Sequence, residues 1–243
     1  MDNCRYYRPA FRVSPQKPGF IAGAKTVIDK IARMRYIRAG FDGKLVDYRQ
    51  AWEQQRQIHA AVSSGGESTT LLVQHEPVYT AGRRTASWDR PTNDTPVIDV
   101  DRGGRITWHG PGQIVGYPIM RLPEPVDVVG YVRTLEECLI EICRRWGITA
   151  AQVEGRSGVW IPRSDAPWAK IAAIGVRVAK GVTMHGFALN VSCDLSWFNP
   201  ITPCGISDAD VTSIAQERGA VTPAELLDDV EFFLSEHLNG ARL

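Results

Sequence analysis

The segment RGGRITWHGPGQ, residues 102–113, constrains the fold more than any other part of the sequence. Its four glycines and one proline rule out a regular helix or strand over the whole segment. A β-rich run over residues 113–122 follows at once, so no helix N-terminus stands behind the glycines to bind a pyrophosphate. Because the chain also has no G-x-x-x-x-G-K-[ST] segment, we expect neither a dinucleotide-binding fold nor a nucleotide phosphate loop.

After Met34 the hydrophobic pattern alternates between helix spacing and strand spacing. Helix spacing covers residues 47–61 and 128–146, and a capping box at residues 222–225 predicts the start of a third helix. Strand-like runs cover residues 69–75, 96–100, 113–122, 157–161, 169–178 and 182–191. Lys180-Gly181 predicts a hairpin turn, and Pro118 predicts an edge strand or a bulge. Together the elements predict one mixed α+β domain over residues 34–243.

The composition excludes several classes of protein. A formal net charge of +1 argues against a protein that coats nucleic acid, and no run approaches the ~20 apolar residues of a membrane-spanning helix. The five cysteines form no C-x-x-C pair and are odd in number, so we expect neither a zinc site nor a disulfide framework. We therefore predict a cytoplasmic protein that binds no nucleic acid, no membrane and no metal.

Residues 1–33 are predicted to be a basic N-terminal extension without ordered structure. Nine basic side chains stand against two acidic ones within residues 1–38, and prolines interrupt any periodicity. An organelle transit peptide and a true start at Met34 are the two alternatives. We favour the extension because regular patterning begins only near Met34.

Two segments contain candidate catalytic groups. Lys170 opens an apolar run, and a lysine buried there could serve as a general base, although a lysine at a strand end usually extends to water. Cys204 lies in the loop segment NPITPCG, just before Ser207-Asp208, which predict a helix start whose dipole would favour the thiolate. The polar side chains between the glycines of residues 102–113 favour a ligand-binding loop over a pair of plain turns.

Cys204 is the best available nucleophile in the sequence. No G-x-S-x-G segment is present, and the other cysteines lie in the extension (Cys4), in a predicted helix (Cys138 and Cys143) or just after a strand (Cys193). The base that activates Cys204 could be a histidine, such as His75, His109 or His185, or Lys170. Residue types and spacing alone do not decide between them.

Four segments together resemble one family. RGGRITWHGPGQ, KIAAIGV…HGFALN, PCGI and EPVYTAGRR (Glu76 to Arg84) resemble the lipoyl(octanoyl) transferases of the biotin/lipoate protein ligase superfamily, in the same order from about Met34 to the last helix. The resemblance implies a mixed central β-sheet flanked by helices. It also implies an acyltransferase of lipoate biosynthesis. Octanoyl-acyl carrier protein would be the donor, and the acceptors would be lysines in lipoyl domains of 2-oxoacid dehydrogenase E2 subunits and in the glycine cleavage H protein.

The resemblance also implies the residues of the site. Cys204 would carry the acyl thioester and Lys170 would be its partner, in a Cys–Lys dyad. The implied substrate-binding residues are Arg102, Gly103, Gly104, Arg105, Ile106, Thr107, Trp108, His109, Ala173, Ile174, Gly175, Gly186, Phe187 and Ala188. No cofactor is implied, because the exchange of one thioester for another is nearly isoenergetic and needs no ATP.

Two other functions are weighed against the transferase. An ATP-dependent lipoate or biotin protein ligase of the same fold would not need a cysteine nucleophile. A non-catalytic module would bind lipoyl domains or acyl carriers without forming an acyl-enzyme. The presence of both Cys204 and Lys170 favours the transferase.

Overall fold

The computed structural model describes residues 34–91, 95–201 and 209–238. The strands are β1 (Arg35–Ala39), β2 (Thr69–Val73), β3 (Val78–Ala81), β4 (Val97–Asp99), β5 (Ile106–His109), β6 (Gln113–Ile119), β7 (Ala151–Val153), β8 (Arg156–Ile161), β9 (Ala169–Ala179), β10 (Val182–Asn190) and β11 (Asp210–Val211). The helices are α1 (Tyr48–Ser63), α2 (Val128–Arg145), α3 (Ile214–Arg218) and α4 (Pro223–Leu238), with 3₁₀ turns at Ser87–Asp89 and Leu195–Phe198. The predicted extension over residues 1–33 and Cys204 lie outside the described residues.

The strands form two sheets. The larger sheet has the order β1-β2-β6-β10-β9-β8-β7, with β11 beside β9, and it mixes parallel and antiparallel pairs. The smaller sheet has the order β4-β3-β5. The prediction of a mixed sheet flanked by helices is confirmed. The pattern did not predict the second sheet, because strands of three and four residues are too short for periodicity to assign them a partner.

The three long helices begin within one residue of their predicted starts, and each has a capping side chain there. Asp47 accepts the backbone N–H of Gln50 at 3.0 Å, and Asp127 accepts that of Gly130 at 2.8 Å. The Glu225 carboxylate accepts the Thr222 N–H at 2.7 Å, as a capping box requires. Helices α2 and α4 then pack together through a shared apolar core of Leu135, Leu139, Ile142, Leu226, Val230 and Leu234. Burial of each such side chain stabilises the fold by about 1.5–3 kcal/mol.

The hairpin that Lys180-Gly181 predicts is present between β9 and β10. Lys180 has a φ of 53° and Gly181 a φ of 69°, so both central residues are left-handed. This is the turn geometry that matches the twist of two antiparallel strands. The hairpin brings Ala173 opposite Ala188 and Gly175 opposite Gly186.

Pro118 is a point at which the sequence expectation is wrong. Strand β6 lies between β2 and β10, so Pro118 is not in an edge strand. The register of β6 with β10 is the same before and after Pro118, so the two strands contain no bulge at this point. The ladder is interrupted at this point, because Pro118 has no N–H to donate and His185, opposite it, has a φ of 57° and donates its backbone N–H to Oε1 of Gln55 at 3.0 Å.

The helix expected to begin at Ser207-Asp208 is also a wrong prediction. Those two residues lie outside the described ranges, but the chain after them forms β11, which pairs in parallel with β9 beside Lys170. The next helix begins only at Ile214, with Ser213 as its N-cap. The pairing with β9 extends the sheet at this point, and it leaves no described helix directly behind the Cys204 segment.

Candidate active site

A cavity of about 220 Å³ lies between the two sheets. Strands β5, β6, β9 and β10 supply most of its wall. Helix α1 supplies Tyr48, the turn between β7 and β8 supplies Gly155, and the start of β8 supplies Arg156 and Ser157. The implied substrate-binding residues that line it are Arg102, Gly104, Arg105, Thr107, His109, Ala173, Ile174, Gly175, Gly186, Phe187 and Ala188. The three implied stretches therefore converge on one space, although they are far apart in sequence.

Gly103, Ile106 and Trp108 do not line the cavity. Side chains alternate between the two faces of a strand, so Thr107 and His109 of β5 face the cavity while Ile106 and Trp108 face away from it. Ile106 and Trp108 are completely buried in a second core that supports this wall. The resemblance implied a continuous stretch, and strand geometry divides it into lining and supporting residues.

Lys170 lies in the wall of the cavity and is only 7% exposed. It does not extend to water, which was the alternative for a lysine at a strand end. Its Nζ lies 4.4 Å from the ring centroid of Trp160, on the neighbouring strand β8. Gly158 packs closely at this point, since a Cβ there would lie 2.5 Å from the backbone oxygen of Ala172 and 3.3 Å from Cε of Lys170.

Cys204 itself lies outside the described residues, but the chain on both sides of its segment is placed. Ile201, three residues before Cys204, is buried in the core that contains Trp108. Six residues after Cys204 the chain enters β11, where Val211 is the register partner of Lys170. The order of the chain thus leads from the second core, through the Cys204 segment, to the strand beside Lys170.

The three described cysteines are poor nucleophiles. Cys138, Cys143 and Cys193 are all buried. Burial raises the pKa of Cys143 and of Cys193 to about 12, and it raises the pKa of Cys138 further above its ordinary value. Their thiols stay protonated near neutral pH, so none of the three offers the thiolate that acyl transfer by cysteine requires.

Two tyrosines and a histidine form a buried network beside the cavity. The Nδ1–H of His75 donates to the backbone oxygen of Val46 at 3.0 Å, so its Nε2 accepts from the Tyr117 hydroxyl at 2.8 Å. Burial lowers the pKa of His75 to about 4, so the ring is neutral. Burial also raises the pKa of Tyr48 to about 12 and that of Tyr117 well above its ordinary value. The network therefore stays uncharged near neutral pH.

His109 faces the cavity from β5. Its Nδ1 donates to Oε1 of Gln113 at 3.2 Å, and its ring stacks on Tyr48 with a centroid distance of 6.0 Å. Burial is the main cause of a pKa far below the ordinary value, and the nearby His75 lowers it further. A neutral ring with its proton on Nδ1 can accept a hydrogen bond at Nε2 but cannot act as a cation.

His185 is the third histidine at the cavity and has a charged partner. Its Nε2–H donates to Oδ1 of Asp101 at 2.7 Å, and Asp101 also forms an ion pair with Arg177. The hydrogen bond from His185 is the main cause that lowers the pKa of Asp101. Burial lowers the pKa of His185 itself, against the raising effect of Asp101. The left-handed backbone of His185 is a strained conformation of the kind that clusters at functional sites.

The described wall of the cavity is cationic. Arg84, Arg102, Arg105, Arg156 and Lys170 line it, and no described lining residue is acidic. Arg102 nevertheless has a structural role, because its guanidinium donates to the backbone oxygens of Thr80, Gly103 and Arg105 at 2.7–3.0 Å. Groups of three or more His, Cys, Asp or Glu side chains arranged to hold a metal ion do not occur among the described residues.

The sequence motifs did not identify Tyr48, Tyr117 and Asp101 as residues of the site. Tyr48 is an apolar-face residue of a helix, and Tyr117 lies in a strand with no motif around it, so neither carries a local signal. Asp101 directly precedes the glycine-rich segment and was the most accessible of the three to sequence reasoning. Its partner His185 is 84 residues away, and only the fold joins them.

Comparison with known proteins assigns the chain to a family. The family model described as the lipoyl protein ligase A/B catalytic domain matches residues 47–232. The chain belongs to this family. Members with curated names include the octanoyltransferases of Salinispora arenicola, 58% identical over 80% of this chain and 91% of the relative. Those of Mycobacterium tuberculosis (56%, 80% and 84%) and Streptomyces coelicolor (49%, 88% and 96%) are further examples.

Solved structures of lipoate ligases share the fold of this family member. A bipartite lipoate protein ligase from Thermoplasma acidophilum superposes with a TM-score of 0.64 at 16% identity, over 84% of this chain and 82% of that one. A lipoate-protein ligase A bound with ATP superposes with a TM-score of 0.63, also at 16% identity, over 84% of each chain. None of the helices in the described ranges has the length and apolar character needed to span a membrane.

Proposed function

We propose that this protein transfers an octanoyl group from octanoyl-acyl carrier protein, through a thioester on Cys204, to a lysine of a lipoyl domain. Octanoyl transfer is supported by curated octanoyltransferases that are 49–58% identical to the chain. The observation that carries the proposed mechanism is the buried Lys170, which lines the cavity and pairs with the strand that follows the Cys204 segment.

The first half-reaction exchanges one thioester for another. Lys170 takes the proton of the Cys204 thiol, and the thiolate attacks the acyl carbonyl of the donor. The bond between the carbonyl carbon and the donor sulfur then breaks, and the proton passes to the leaving thiolate. One thioester is lost and one is formed, so the step needs no ATP.

The second half-reaction transfers the acyl group to nitrogen. The acceptor lysine attacks the Cys204 thioester as a free amine, Lys170 takes the proton that the nitrogen loses, and the proton returns to the sulfur of Cys204. An amide forms and the free cysteine is restored. Backbone N–H groups beside Cys204 or in the glycine-rich segment would stabilise the oxyanion of both tetrahedral intermediates.

The cavity provides the binding energy for the acyl chain. An octanoyl chain has about seven methylene and methyl groups, and burial of each contributes ~0.8 kcal/mol, or up to ~5 kcal/mol in total. Small residues that face each other, Ala173 with Ala188 and Gly175 with Gly186, keep the wall open for a slender chain. Gly186 cannot be larger, since a Cβ there would lie 2.2 Å from the backbone oxygen of Gly116.

The partners follow from the same proposal. Lipoyl domains are the acceptors that the octanoyltransferase and lipoate ligase relatives imply. Lipoyl domains of 2-oxoacid dehydrogenase E2 subunits and the glycine cleavage H protein are the specific acceptors we propose. The cytoplasm remains a prediction from the cysteine pattern, and cell fractionation with antibody detection tests it.

The decisive experiment is intact mass spectrometry after incubation with octanoyl-acyl carrier protein. The wild-type protein should gain one octanoyl mass, and Cys204→Ala should gain none. Cys193→Ala is the matched control, because it removes a buried thiol and should still be acylated. A Cys204→Ala protein that still transfers octanoate would overturn the mechanism. A wild-type protein that forms no acyl-enzyme but consumes ATP with free octanoate or lipoate would be a ligase instead.

A further inference from the structure

Trp88 is the most exposed large apolar side chain among the described residues. Its exposed fraction is 79%, compared with 58% for Phe232 on helix α4. Single exposed apolar side chains are common and need no explanation by themselves. Trp88 differs from such cases in how its backbone is held, in where it lies and in the charge around it.

The turn that presents Trp88 is held by a buried carboxylate. Asp89, which is 1% exposed, accepts the backbone N–H of Ala86 at 2.8 Å. Both of its carboxylate oxygens also lie 3.4 Å from Nη1 of Arg105. A buried carboxylate requires such partners to offset its desolvation. The 3₁₀ turn is therefore held in one conformation by these contacts, so a partner that binds Trp88 does not have to order the turn first.

The same turn adjoins the rim of the cavity. Arg105, which holds Asp89, lines the cavity, and so does Arg84, four residues before Trp88. The backbone N–H of Arg84 donates to the oxygen of Gly104 at 3.1 Å, which fixes the loop against the glycine-rich segment. A protein that covers Trp88 would thus also lie beside the cavity that contains Lys170.

The charge around Trp88 is positive. Arg83 and Arg84 are exposed and form no ion pair with another described residue, while Arg90 pairs with Asp99. The only acid within the turn, Asp89, is buried against Arg105. An exposed tryptophan beside exposed arginines is the combination that dominates binding energy at protein interfaces, and the charge favours an acidic partner.

We propose that Arg83, Arg84 and Trp88, here called the Trp88 surface, bind the body of an acidic lipoyl domain during acyl transfer. This inference rests on the proposed function. The acceptor lysine reaches out by only four methylene groups, so the domain that bears it must approach the rim of the cavity. A donor that carries its acyl group on a long, flexible prosthetic arm has no such need, and its body can bind elsewhere.

The test separates the two half-reactions. The octanoyl-enzyme is formed first, mixed with a lipoyl domain, and the second-order rate constant of transfer is followed by intact mass. We expect Trp88→Ala to lower this constant about tenfold. Arg83→Glu should lower it as well and reduce its dependence on salt. Acylation by octanoyl-acyl carrier protein and transfer to a short peptide with the acceptor lysine should not change.

Phe232→Ala is the matched control, since it removes an exposed aromatic side chain from a different part of the molecule, and it should leave every rate unchanged. If Trp88→Ala slows transfer to the peptide as much as it slows transfer to the domain, the inference is overturned, because the residue would then act on the cavity. A slower acylation with unchanged transfer to the domain would assign the Trp88 surface to the donor and would also overturn the inference. Unchanged rates in every assay would overturn it as well. Titration calorimetry of the unacylated enzyme with the lipoyl domain tests the surface even if the thioester chemistry is wrong, and weaker binding by Trp88→Ala would support it.

Discussion

The amine nitrogen of Lys170 lies 4.4 Å from the ring centroid of Trp160, and the two residues are register partners in strands β9 and β8. The face of an indole ring attracts an ammonium group by about 0.5–2 kcal/mol. An irregularity in the register between Val159 and Trp160 sets the position of the ring at this point. The ring therefore fixes where the nitrogen of Lys170 lies, and we expect it to position that group for catalysis.

Replacement of Trp160 tests this positioning. Trp160→Leu removes the ring face and should lower the rate of acyl-enzyme formation at saturating donor by roughly 3–30-fold. Trp160→Phe keeps a ring and should retain most of the activity. Single-turnover mass spectrometry over a range of donor concentrations separates the rate from KM. If both variants lose the same activity, loss of packing explains the effect and the ring has no positioning role.

Removal of the amine itself should have a larger effect. Lys170→Met keeps the length of the side chain and should slow both half-reactions by about 10²–10⁴-fold, the usual contribution of a general acid or base. The free energy of unfolding should not fall, because the change replaces a buried polar group by an apolar one of similar length in an apolar strand. Lys44→Ala is a control at an exposed lysine. Normal rates in Lys170→Met across neutral pH would remove Lys170 from the mechanism.

The helices and the hairpin could be predicted because their signals are local. Asp47, Asp127 and Thr222 each cap a helix within three residues, and Lys180-Gly181 specifies its own turn. Signals of this kind do not depend on distant parts of the chain. The sequence therefore predicted where these elements begin and end to within two or three residues.

The rest of the fold depended on contacts between distant residues. Pro118 was expected at an edge or bulge, but it lies in an interior strand opposite His185, whose N–H donates to Gln55 and not to β6. Both partners are more than 60 residues away from Pro118. The strand after the Cys204 segment was expected to be a helix, and its pairing with β9 decided the outcome. Neither contact can be predicted from local propensity.

The site was partly predictable for the same reason. The resemblance named three stretches, and most of their residues line the cavity. It could not show that Thr107 lines the cavity while Trp108 does not, because that depends on which face of β5 is turned to the cavity. It also missed the network of Tyr48, His75 and Tyr117, whose members come from three separate elements.

The cavity makes a prediction about acyl chain length. Ala173 and Ala188 are register partners that both line it, so one added group on either narrows the space. Ala188→Val should lower kcat/KM for octanoyl donors by about 10–200-fold and lower it less for hexanoyl donors, because a pocket discriminates by about that factor per methylene. Competition between the two donors, read by mass, gives the ratio.

Ala39→Val on the edge strand β1 is the control for this substitution. It adds the same two methyl groups to a half-buried strand position that does not line the cavity, and the ratio of octanoyl to hexanoyl transfer should not change. An unchanged ratio in Ala188→Val as well would mean that the acyl chain does not lie along this part of the wall.

The buried histidines predict how stability depends on pH. Burial lowers the pKa of His75 from 6.5 to about 4, and it also lowers the pKa of His109. Between about pH 6.5 and pH 4 the unfolded chain therefore binds more protons at His75 than the folded protein does. The contribution of His75 to the free energy of unfolding is complete above pH 6.5 and is lost as the pH falls through this window. A shift of this size corresponds to at most about 3 kcal/mol.

Urea denaturation at pH 7, 5.5 and 4 measures this loss. The wild-type free energy of unfolding should fall steadily with pH, and other titrating groups contribute to the slope. His75→Gln removes one titrating group while it keeps a side chain that can donate to the Val46 oxygen and accept from Tyr117. The variant should be less stable at pH 7, because glutamine packs less well there, but it should lose about 1–3 kcal/mol less than wild type between pH 7 and pH 4. Parallel curves for the two proteins would show that His75 is not kept neutral by the fold, because a group with the same pKa in both states adds no slope.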